Sequence, residues 1–67
     1  MPGTYKKIEV VGTSPVSFSE AVKSAVAGAS QTVRHTDWFE VVEQRGMIKD
    51  GIVAEYQVVL KIGFKIE

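Results

Sequence analysis

Asp50-Gly51-Ile52-Val53-Ala54-Glu55-Tyr56-Gln57-Val58-Val59-Leu60-Lys61-Ile62-Gly63-Phe64-Lys65-Ile66 is the stretch that decides the fold. From Ile52 onward it alternates as a long β-strand does, because successive strand side chains point to opposite faces. Ile52, Ala54, Tyr56, Val58, Leu60, Ile62, Phe64 and Ile66 share one face. Val53, Glu55, Gln57, Val59, Lys61, Gly63 and Lys65 share the other. The even set is a core face that some other element has to cover. At ~3.3 Å per residue such a strand runs roughly 50 Å, yet a compact chain of this length has a radius of gyration of only ~11 Å. The strand must bend, with Gly63 the natural place, or protrude and find neighbours.

Asp50-Gly51 is a type I′ hairpin signal, so the preceding run from Asp37 to Met47 reads as the partner strand. Further upstream, Phe18, Val22, Ala25, Val26, Ala29 and Val33 recur at spacings of three and four, which predicts a helix from about Ser17 to about Arg34. Ser17 and Glu20 fit a capping box, with Ser14-Pro15 a competing start. Arg34 and His35 would then sit at the helix C-terminus, where positive charge is favoured. The small residues from Ala25 to Ser30 call for close packing on a sheet, although Gly28 costs about 1 kcal/mol relative to Ala. Tyr5 to Val11 is β-rich and is expected to end at Gly12. The whole reads as an α+β chain of β-α-β-β order, one domain over residues 1–67, with a three-stranded antiparallel sheet wrapping one helix. The apolar third strand takes the middle.

Composition narrows the function. The chain has 67 residues, of which 45% are hydrophobic and 24% charged, with eight Lys/Arg against eight Asp/Glu. Zero formal charge argues against nucleic acid or an anionic membrane as the main partner, since both need a net basic surface. There is no cysteine, so disulfides and thiolate metal sites are excluded. No apolar run approaches a membrane span and the first seven residues do not read as a signal peptide, so the cytoplasm is the expected compartment. A chain this short hides only about 60% of its unfolded surface. Below roughly 70–80 residues stability usually needs a metal, a disulfide or self-association, and only the last has residues to support it here.

With Asp50 and Gly51 as the turn, Trp38 faces Gly63, Phe39 faces Ile62, Glu40 faces Lys61, Val41 faces Leu60, Val42 faces Val59 and Gln44 faces Gln57. The odd face then carries Trp38, Val42, Val53 and Val59 beside Gln44, Gln57 and an ion pair of Glu40 with Lys61. A tryptophan with a valine stripe on a small domain marks an interface. The blander alternative is that Trp38 simply packs over the bare backbone of Gly63. Trp38 and Gln57 lie about six residues apart along the ladder, roughly 20 Å, so one small ligand touching both has to sit between subunits.

Groups for covalent or acid–base catalysis are missing from the pattern. His35 is the single histidine, and metal sites need several converging ligands. Asp37 and Glu40 differ in strand parity, which separates them as a carboxylate pair. Thr13, Ser14 and Ser17 belong to the helix entry with no base beside them, and phosphate-binding glycine loops are absent. What remains suits a flat heteroaromatic. Trp38 offers stacking, and the Gln57 amide offers a donor beside an acceptor for a uracil-like edge. Arg45 and Lys65 either grip a phosphate or serve as solvated strand charges.

Val10-Val11-Gly12-Thr13-Ser14, Asp37-Trp38-Phe39-Glu40-Val41, Arg45-Gly46, Tyr56-Gln57-Val58 and Val59-Leu60-Lys61-Ile62-Gly63-Phe64 together resemble the dodecins, specifically the bacterial branch. The resemblance covers nearly the whole chain. It implies subunits assembled into a hollow dodecameric shell, a homo-oligomer that binds flavin, mainly FMN but also riboflavin or FAD, between subunits. The isoalloxazine would stack on Trp38, with Asp37 beside it. Gln57 would bond the pyrimidine edge and Arg45 would lie near the ligand. Lys65 stands where many members carry Arg. Some bacterial dodecins also bind coenzyme A through basic residues, for which Lys6 and Arg34 are the candidates here. The implied role is flavin storage and sequestration without turnover, in which the stacked indole quenches the flavin's photochemistry. The competing expectation is a structural or interaction oligomer that binds coenzyme A or no small molecule. A flavoenzyme is the third.

Overall fold

The computed structural model describes residues 3–66. The element order is β1 (Tyr5–Ser14), α1 (Phe18–Ser30), β2 (Thr36–Lys49) and β3 (Ile52–Lys65). The strands form one antiparallel sheet in the order β1-β3-β2. The apolar third strand is central, as the alternation requires, because it alone has a hydrophobic residue at nearly every core-facing position.

β3 does not bend back on itself. The chain measures 53 × 20 × 14 Å with a radius of gyration of 13.8 Å, well above the ~11 Å of a compact chain this long. The β2–β3 hairpin therefore protrudes. Its turn has φ of 54° at Asp50 and 75° at Gly51, the pair of positive angles that a type I′ turn demands.

α1 lies over β1 and β3, and barely over β2. Ala21, Ala25 and Ala29 form its buried stripe against Val58, Leu60 and Ile62, with Ile8, Val10, Phe18, Val22 and Val26 at the margin. Phe18 meets Tyr56 edge-on, with ring centroids 5.0 Å apart. The alanines seat the helix directly on Gly12. A Cβ at Gly12 would collide with the carbonyl oxygen of Ala21 and lie 2.6 Å from the Ala25 Cβ. This corrects the expectation that Gly12 ends β1: the strand runs on to Ser14, and Gly12 is the place where the helix rests on it. Ala21 also belongs to the buried stripe, four residues before Ala25, although the apolar set read from the sequence passed over it.

Ser17 is the N-cap, its Oγ accepting from the Glu20 amide at 3.1 Å. Ser14 instead accepts from the Val16 amide at 2.9 Å, so it shapes the loop before the helix. The Glu20 side chain pairs with Lys23 rather than completing a capping box. α1 ends at Ser30 rather than Arg34, with no basic residue in its last turn. Arg34 and His35 thus belong to the connection into β2, where His35 takes a φ of 59°. The chain must turn sharply there to re-enter the sheet.

Three irregularities break the β2–β3 register, between Thr36 and Trp38, between Val41 and Glu43, and between Met47 and Ile48. Trp38 faces Gly63, Phe39 faces Ile62, Glu40 faces Lys61 and Val41 faces Leu60, as the two-residue turn predicts. Beyond Val41 the pairing slips by one. Glu43, not Val42, faces Val59, and Arg45, not Gln44, faces Gln57. Val42 is the extra residue of a bulge, and Ala54 on β3 offsets it so that Lys49 again faces Ile52. A compensated pair of bulges leaves no trace in an alternation count, because each shifts the register by one and the two cancel.

Candidate functional site

Trp38 stands at one end of the hairpin on the sheet face away from α1. The indole lies over Gly63: an added Cβ there would come within 2.5 Å of its Cε2. Glycine is thus the floor that lets a flat ring rest on the sheet. Tyr5, from the other side of β3, meets the indole edge-on with centroids 5.1 Å apart and planes at 61°. Lys7 reaches across the central strand to Glu40, Nζ to Oε1 at 2.6 Å. This replaces the expected Glu40–Lys61 pair. The Lys7 ammonium holds the Glu40 carboxyl below the usual carboxylate range, with a smaller contribution from Lys61. Trp38 remains 42% exposed. Its indole is pinned by Tyr5 and Gly63, and an exposed face is left for a stacking partner.

Asp37 occupies the bulge before Trp38, so the strand-parity argument that separated it from Glu40 does not apply at this position. It lines a small cavity of about 110 Å³ with Val26, Thr36, Trp38, Phe39 and Ile62.

Gln57 and Arg45 lie toward the far end of the hairpin. Arg45 Nε donates to Gln57 Oε1 at 2.8 Å, and Arg45 Nη1 donates to Glu43 Oε1 at 3.2 Å. Gln57 Nε2 donates to Glu55 Oε1 at 2.9 Å. The one-residue register slip creates this cluster, since it sets Arg45 directly opposite Gln57. Arg45 and Lys65 are not brought together: Lys65 is eight residues further along β3, opposite Tyr5. Lys65 lines an open cavity of about 530 Å³ with Lys6 and Arg34, walled by Thr32, Val33, Phe64 and Ile66. The structure therefore presents three places: an indole platform, an Arg–Gln cluster and a basic cavity. Among the described residues, no three His, Cys, Asp or Glu side chains gather as a metal site, and no helix is long and apolar enough to cross a membrane.

Tyr5, Lys7, Glu43 and Glu55 all touch these places and were missed by sequence reasoning. Tyr5 and Lys7 need the β1–β3 register, which nothing in the turn sequence specifies. Glu43 needs the bulge on β2, whereas Glu55 sits two residues from Gln57 on the same strand and the same face.

The family model for dodecin matches residues 4–67. This chain belongs to the dodecin family. It is 52% identical over 67 residues to a dodecin of Thermus thermophilus, covering 100% of this chain and 97% of that protein. It is 32% identical over 62 residues to a protein of Mycobacterium tuberculosis named calcium dodecin, covering 92% and 87%. The solved structure of dodecin from Streptomyces coelicolor superposes with a TM-score of 0.93 at 57% identity, over 97% of this chain and 93% of that one. The dodecin β-α-β-β fold is thus the fold of this chain, and the family includes a member named for calcium alongside those named only as dodecins.

Proposed function

We propose that this dodecin stores and sequesters flavin, FMN foremost with riboflavin and FAD as close variants, without turning it over. The observation that carries the reading is the Trp38 indole, seated on Gly63, pinned by Tyr5 and still 42% exposed. These residues fit the isoalloxazine: the ring needs a flat aromatic partner, and offset stacking adds about 0.5–1.5 kcal/mol beyond area burial. Gln57 supplies the amide for the pyrimidine edge, and Arg45 stands beside it. The two places are six residues apart along β3, roughly 20 Å, so Trp38 and Gln57 serve one flavin only from different subunits. A homododecameric shell provides that arrangement. Asp37 borders the platform, and Trp38 donates an electron to the photoexcited ring and takes it back, leaving no net oxidation. No general base or nucleophile is called on, and the protein works in the cytoplasm.

A titration of FMN fluorescence tests this. Wild-type protein quenches the emission, and Trp38→Ala removes most of the quenching while the assembly keeps its mass by light scattering. Unchanged emission at saturating protein overturns the reading in favour of a purely structural oligomer.

A second ligand is favoured by one observation, the open basic cavity of Lys6, Arg34 and Lys65 with Phe64 and Ile66 as its apolar wall. Cations with an adjoining apolar surface suit the phosphates and adenine of coenzyme A. Lys6→Ala with Arg34→Ala lowers coenzyme A affinity and leaves FMN quenching unchanged. Lys65 belongs with this cavity more than with Arg45.

A further inference from the structure

We infer that Tyr5 is a second electron donor in series with Trp38, so that an oxidised indole is restored by an electron from the Tyr5 phenol. The inference rests on the flavin reading above and deepens it, since that reading makes Trp38 the first donor. Trp38 is the single tryptophan of the chain, and Tyr5 and Tyr56 are its two tyrosines. With no cysteine present, indole and phenol are the side chains that give up one electron most readily. The two tyrosines are placed very differently. Tyr5 meets the indole with ring centroids 5.1 Å apart and planes at 61°, within the range of an edge-to-face aromatic pair. Tyr56 meets Phe18 of α1 instead. It stands seven residues along β3 from Gly63, the partner of Trp38, which is roughly 23 Å at the usual rise.

Contact makes the transfer fast, and exposure makes it downhill. A phenol that loses an electron becomes a strong acid and sheds its O–H proton where water is at hand. Tyr5 is 46% exposed, so water takes that proton. The neutral tyrosyl radical left behind is a weaker oxidant than the indole radical cation, and the hole settles on Tyr5. The step balances: one electron passes from Tyr5 to Trp38, one proton passes from Tyr5 Oη to water, and the indole N–H stays in place. Return of one electron from the bound ring, with one proton from water, restores the phenol and consumes nothing. What the pair protects is the platform. A hole that outlasts direct return waits on an exposed phenol, while the indole over Gly63 is again intact and able to stack.

The test uses the assembled protein without flavin, exposed to azide radicals generated by a radiolysis pulse. Azide radical takes one electron from the indole and becomes azide, and Trp38 loses its N–H proton to give the indolyl radical. Tyr5 then supplies one electron and one proton, which regenerates Trp38 and leaves the tyrosyl radical. Transient absorption follows the two radicals through their separate bands. In wild type the indolyl band decays as the tyrosyl band rises, at one shared rate that does not depend on protein concentration. Tyr5→Phe keeps a ring against the indole but has no O–H, so that rise is lost and the indolyl radical persists. Tyr56→Phe behaves as wild type, and light scattering checks the mass of each variant. A rise that survives in Tyr5→Phe, or one that vanishes in Tyr56→Phe, would overturn the inference while leaving the flavin reading intact. Absence of FMN quenching with the rise intact would instead overturn the flavin reading and leave the transfer between Trp38 and Tyr5 standing.

Discussion

Val58, Leu60 and Ile62 are 0–1% exposed, whereas Ile52 and Val53, earlier on the same strand, are 69% and 54% exposed. The two halves of β3 are equally apolar. They differ in what lies over them: α1 covers one, starting where Phe18 meets Tyr56, and does not extend over the other. Along β2, Phe39, Val41, Met47 and Ile48 are likewise left open at 44–76%, although Phe39 and Val41 share the core-facing side of the sheet. A hydrophobic face is therefore a demand for burial, and the chain meets only half of it with its own helix. The uncovered half is available to another copy.

Substitutions in the two halves of β3 have opposite effects. Leu60→Ala removes a fully buried side chain and is expected to lower unfolding stability by ~2–5 kcal/mol, read by urea denaturation of the assembled protein at fixed concentration. Ile52→Ser with Ile48→Ser should act oppositely: the subunit's fold by circular dichroism stays near wild type, while light scattering reports dissociation. If both variants gave the same loss of fold with no change in mass, the division of β3 into a self-covered half and a partner-covered half would be wrong.

Gly12→Ala sharpens the covered half. Its Cβ has no room between Ala21 and Ala25, and since the nearest obstruction is backbone, the helix has to lift. Overpacking of this kind costs about 1–3 kcal/mol, visible as a lower urea midpoint with the hairpin and its Arg45–Gln57 contact unaffected.

The smallest effect belongs to the ion pair beside Trp38. Lys7 lowers the Glu40 pKa from its ordinary value of 4.5, so the folded state binds that proton less readily than the unfolded state does. The contribution is complete above about pH 4.5 and is lost as pH falls through the lowered folded value. Both side chains are about half exposed, so the effect is small and falls further with added salt. Denaturation midpoints of wild type and Glu40→Gln should converge between pH 4.5 and lower values. A difference that instead grew on acidification would contradict the pairing.

The central place of β3, the Asp50-Gly51 turn and Trp38 opposite Gly63 were all legible from the sequence, because each follows from local chemistry: alternation, positive φ and a two-residue loop. The Gln57 partner was not. Gln44 and Arg45 are adjacent, and which of them faces Gln57 depends on a bulge at Val42, a residue with no turn or glycine signal of its own. The helix end escaped for a related reason. Val33 keeps the apolar spacing, but Thr32 and His35 serve a reversal that only the position of β2 requires. Tyr5 beside Trp38 joins residues 33 apart in sequence across a strand, a proximity set by the β1–β3 register alone.

The elongated outline has a cost in water. A compact monomer of 7.3 kDa typically leaves about 4,200 Å² accessible, whereas this chain leaves 4877 Å². The surplus, on the order of 700 Å², is close to the share that each partner contributes to a standard-size protein contact, about 800 Å². The blade-like outline thus exposes extra area of the size that one such contact would cover.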